Sequence, residues 1–64
     1  MTQRDYMRKL YLQHNGEKAK IVSDYAQAER DGKVARNSND RRFSPEEYAS
    51  RLFYDGVHDG WIKN

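Results

Sequence analysis

Cysteine is absent from this 64-residue chain, so no disulfide can brace it and no thiolate can hold zinc. Proline occurs once and glycine four times, each glycine standing alone. That spacing excludes a glycine-rich phosphate cradle and leaves both residue types as punctuation between elements. No apolar run approaches the roughly 20 residues needed to cross a bilayer, and the opening MTQRDYMRKL lacks the apolar segment of a signal peptide. The expectation is a cytoplasmic chain with no membrane contact. One small domain, residues 1–64, is the only reasonable count. A domain this short buries only about 60% of its unfolded surface, so its core must be thin.

What is present is helix chemistry. The stretch RRFSPEEYASRL, Arg41 to Leu52, carries a complete helix start. Ser44 is placed to accept from the amide of Glu47, and Glu47 to reach back, as in a capping box. Pro45 falls at the first helical position, and Glu46 and Glu47 bring negative charge to the positive end of the dipole. Phe43 precedes the cap at the spacing of a hydrophobic staple onto Tyr48. Thr2 offers a second, shorter cap.

The apolar spacing predicts an all-α, three-helix domain, with helices over about 3–14, 17–31 and 45–59 and a basic loop between the second and third. Tyr6, Met7, Leu10, Tyr11 and His14 form the first stripe. Asn15–Gly16 reads as a helix–helix corner, because its flanks lack the alternation of a hairpin. In the second helix Ala19, Val22 and Ala26 share a face, with Ile21 and Tyr25 beside them, and Gly32 is the stop. Tyr48, Ala49, Leu52, Phe53 and Val57 make the third stripe, with Gly60 as its cap. Trp61 is expected to fold back over the turn containing Gly56. Eight aromatics in so small a chain, with few Leu, Ile and Val, are expected mostly in the core, with Tyr11 and Tyr54 the most exposed.

Charge is segregated, although the net is only +2. Residues 1–20 carry Arg4, Arg8, Lys9, Lys18 and Lys20 against Asp5 and Glu17. Residues 30–43 carry Arg30, Lys33, Arg36, Arg41 and Arg42 against Asp31 and Asp40. The intervening and C-terminal stretches are acidic. A polyanion would meet the two basic blocks.

Catalysis has little support. Ser23, Ser38, Ser44 and Ser50 occupy no nucleophile elbow, and a fold this small offers no deep pocket. His14 and His58 lack the spacing that puts two ligands on one helix face, and Asp55 and Asp59 lack the oxygen density of a calcium loop. No enzyme activity, cofactor or metal is expected.

Two functional readings remain. The first is nucleic-acid binding, DNA before RNA, by a helix-turn-helix-like unit acting largely on phosphates. Lys18 and Lys20 would lead the second helix, with Gln27 and Arg30 further along and Lys33 in the loop after it. Arg36, Arg41 and Arg42 would follow the backbone, and Asn37 or Asn39 would reach a base edge. Asp24, Glu29 and Asp31 on that helix oppose it. The second reading is a protein-interaction module, an accessory subunit or inhibitor, with Leu12 and Tyr54 as contact points. Against both stands the plainer account that the charges keep a small protein soluble. In size and polarity the chain resembles the short cytoplasmic proteins that bacteria and their phages encode.

Overall fold

The computed structural model describes residues 2–36 and 41–62. Three helices follow in order: α1 (Gln3–Gln13), α2 (Lys18–Arg30) and α3 (Pro45–Asp59). They match the expected spans to within a residue at each end. The molecule measures 28 × 22 × 21 Å.

The helix starts follow their local chemistry. Thr2 Oγ1 accepts from the amide of Asp5 at 3.1 Å, and Ser44 Oγ accepts from the amide of Glu47 at 3.2 Å. The start of α2 differs, since Glu17 makes no side-chain cap bond there. At the corner between α1 and α2, Asn15 (φ 53°) and Gly16 (φ 78°) are both left-handed. The Gly16 amide donates back to Tyr11 O at 2.8 Å, which closes the last turn of α1.

The core is built around three tyrosines, one from each helix. Tyr25 of α2 is fully buried at the centre. Tyr6 of α1 meets it edge-to-face, with ring centroids 5.9 Å apart, and Tyr48 of α3 lies 6.5 Å away on another side. Met7, Leu10, Ile21, Ala28, Ala49 and the loop residue Val34 pack around them. Aromatics supply large buried area from few residues, which suits a chain with little aliphatic content.

Three expectations need correction. On α2 the buried set is Ile21, Tyr25, Ala26 and Ala28, while Ala19 is exposed and Val22 half-buried. The helix packs against both neighbours, so its inward face centres on the large Ile21 and Tyr25 rather than on the alanine stripe. On α3 Val57 is exposed. At the C-terminal end Trp61 does reach the turn of Gly56, as expected, but Ile62 covers that glycine more closely. The Ile62 amide donates to Gly56 O at 3.2 Å, and its side chain is buried against that turn. A Cβ on Gly56 would stand 2.2 Å from Ile62 Cδ1 and 3.0 Å from the Trp61 ring. The indole itself turns toward α1. Arg4 and Arg8 lie over it at 5.0 and 5.9 Å, and Arg8 Nε donates to Trp61 O at 2.9 Å.

Gly56→Ala therefore tests the seating of the tail. Alanine raises helix propensity by about 1 kcal/mol at an open site. Here Ile62 would have to leave its place, and we expect a net loss of about 1–3 kcal/mol, seen as a lower midpoint in urea.

Tyr25 gives a second test. Burial, with Tyr48, Glu29 and Tyr6 nearby, raises its pKa above the usual phenol value of about 10. The fold thus favours the neutral phenol. This contribution is fully present below about pH 10 and is lost as pH rises from there toward the folded value. An absorbance titration should show Tyr25 resisting ionisation until the fold is lost. Tyr25→Phe should flatten the alkaline fall in stability.

Candidate nucleic-acid interface

The segment joining α2 to α3 is rich in arginine, and its geometry sorts those arginines into two groups. Arg36 belongs inside. Its Nε lies 3.2 Å from Glu29 Oε1, its Nη1 donates to the carbonyl of Phe43, and its guanidinium sits 5.6 Å from the centre of the Tyr48 ring. The two charged side chains are only 18% and 13% exposed, so the pair is largely withdrawn from water. Gln3 helps to hold the same segment. Its Nε2 donates to Ala35 O, and its Oε1 accepts from the Tyr48 hydroxyl, both at 2.7 Å. Arg36 thus bridges the end of α2 to the start of α3.

Other expected contacts are also engaged. Arg30 Nη2 lies 2.6 Å from Glu46 Oε2, and the hydrogen bond from Arg30 holds the Glu46 carboxyl below its ordinary pKa. Lys20 lies 3.4 Å from Glu17. Lys33 is exposed at the rim of a shallow depression between α1 and α2 whose lining includes Asp24 and Asp31. The outward face of α2 thus presents carboxylates along much of its length, an unfavourable surface for the major groove. Asn37 and Asn39 lie outside the described residues.

Lys18, Lys33, Arg41 and Arg42 remain exposed, with no carboxylate within 4.0 Å among the described residues. Lys18 opens a helix that has no acidic residue in its first turn. A cation at that end opposes the helix dipole, so helix stability does not explain it.

The structure joins two of these residues to a third that the sequence reading missed. Arg42 and Arg51 both lie over the ring of Phe43, at 5.2 and 4.6 Å from its centre. Arg51 then lines a groove of about 360 Å³ together with Lys18, Ser50, Tyr54 and Asp55. Tyr54 is 63% exposed, and its ring stacks on His58 with centroids 5.6 Å apart and planes 22° from parallel. Arg42, Phe43, Arg51, the groove and Lys18 are therefore continuous, and Asp55 is the one carboxylate in the groove wall among the described residues. A helical wheel of α3 carries part of this signal, since Arg51, Tyr54 and His58 fall on the side away from Tyr48, Ala49 and Leu52. The approach of Lys18 is tertiary and has no local signature.

The other histidine makes a structural contact: His14 Nε2 and Asp24 Oδ2 lie 2.5 Å apart, across the corner between α1 and α2. Among the described residues, no three His, Cys, Asp or Glu side chains converge as a metal site would require.

Arg36→Ala should destabilise by about 2–4 kcal/mol, because it strands the Glu29 carboxylate in a poorly solvated place. Adding Glu29→Gln should recover part of that loss, and a double-mutant cycle followed by thermal denaturation measures the coupling.

No family model, curated protein or solved structure matches the chain.

Proposed function

We propose that the protein binds nucleic acid through its phosphates, with DNA the polymer to test first, and that Lys18, Arg41, Arg42 and Arg51 supply the cations. The observation that carries this reading is the continuity of Arg42, Arg51 and Lys18 across Phe43 and the groove, without a salt-bridging carboxylate among the described residues. A phosphate approaching Arg36, Arg30 or Lys20 would first have to displace a carboxylate. These three support the surface rather than extend it. The contact surface therefore moves from α2 to the junction of the loop, α3 and the first turn of α2. Phosphate contacts neutralise charge and release counterions, so such binding is sensitive to salt and weakly selective for sequence. A net charge of +2 fits modest affinity at low salt.

One observation favours a protein partner instead. Leu12 and Val57 are each about half exposed, at 53% and 52%. A stoichiometric partner that survives nuclease treatment in a pulldown would support that alternative.

Fluorescence anisotropy with labelled DNA at several salt concentrations tests the main reading. Four phosphate contacts on duplex DNA give an expected slope of log affinity against log salt of about −3.6. Arg41→Ala with Arg42→Ala should reduce that slope by about two. Absence of binding at low salt would remove the reading.

A further inference from the structure

The groove beside Arg51 has features that phosphate attraction does not require. Its wall is an exposed tyrosine ring, Tyr54, backed by the stacked imidazole of His58. A large apolar ring costs free energy when it stands in water, and this one is 63% exposed. Lys18 and Arg51 line the same groove as the ring. A flat aromatic face sharing a groove with two cations matches the repeating chemistry of a single strand, in which planar bases alternate with phosphates. A duplex hides its base faces in the stack and offers only edges and backbone.

We propose that this groove is a subsite for one nucleotide of a single strand, with the base stacked on Tyr54 and the flanking phosphates on Lys18 and Arg51. This rests on the phosphate-binding reading above and deepens it from any polyanion to unpaired nucleic acid. Arg42, which lies over the same Phe43 ring as Arg51, extends the phosphate track toward the next nucleotide. Asp55 in the groove wall repels phosphate, which keeps the site weak for phosphates alone and makes the stacking contact decisive. Stacking tolerates every base, so the site selects strandedness rather than sequence.

The test compares four labelled or competing polymers with the full chain: an oligothymidylate of about 12 nucleotides, a duplex of equal length, an abasic oligonucleotide with the same phosphates, and inorganic polyphosphate. The oligothymidylate should bind more tightly than the other three at equal salt. Tyr54→Ala should weaken it by about tenfold and leave the duplex unchanged, while Tyr54→Phe, which keeps the ring, should retain its affinity. Asp55→Asn should tighten all four. Circular dichroism melting of Tyr54→Ala should match the parent, because the ring is mostly outside the core. Equal binding of all four polymers, with Tyr54→Ala without effect, would overturn the nucleotide subsite and leave phosphate binding standing. Failure of every polymer to bind at low salt would overturn both.

Discussion

The guanidinium of Arg36 joins three things at once: the Glu29 carboxylate near the end of α2, the Phe43 carbonyl just before α3, and the face of the Tyr48 ring. The segment between the last two helices carries few apolar residues, and among its described residues Val34 is buried in the core with Phe43 packed against it. Hydrophobic burial alone would hold such a segment poorly. A largely desolvated ion pair with a second hydrogen bond to the backbone holds it by geometry, and it loses much of its value when either partner is removed. The same interaction sorts the surface charge. By taking Arg36 inward, it leaves Arg41 and Arg42 exposed, and Arg42 shares the Phe43 ring with Arg51. Scaffold and interface thus depend on one side chain whose sequence context shows only that it is basic.

The core illustrates a second constraint. With so few branched aliphatic residues, the three helices meet through tyrosines, and each ring brings a hydroxyl that needs a place. The Tyr48 hydroxyl donates a hydrogen bond to Gln3 Oε1. Tyr25, at the centre, has no hydrogen-bond partner for its hydroxyl among the described residues. A buried polar atom in that state costs stability, and its burial accounts for the suppressed ionisation of the phenol. Large rings give the domain enough buried area, and their polar ends are what that solution leaves to be satisfied.

Much of the architecture was legible because the signals were local. A Ser three residues before a Glu, with a proline between them, marks a helix start almost regardless of surroundings. Asn15–Gly16 and Gly32 mark ends for similar reasons. Burial was less legible, since which of two neighbouring positions faces inward depends on the elements alongside. Ala19 and Val22 lost that choice to Ile21 and Tyr25 because α2 lies between two partners. Val57 was displaced by Ile62, a residue beyond the helix that no periodicity could rank. The candidate site was the least legible part. Lys18, Lys20 and the arginines were visible as charge, but their partners were not. Glu29 and Glu46 reach their cations through the turn of the chain. Arg51 and Lys18 come together only when α2 and α3 pack.

The seating of the C-terminal residues gives the molecule a built-in optical reporter. Trp61 is the sole tryptophan, and its indole rests under Arg4 and Arg8 on the α1 side rather than on the walls of the groove beside Tyr54. Its emission should therefore follow the docking of Trp61 and Ile62 onto α1 and α3. A ligand seated beside Arg51 would leave that colour largely undisturbed. Unfastening the end of the chain would shift it toward the red, so occupancy and fraying become separable in a single cuvette.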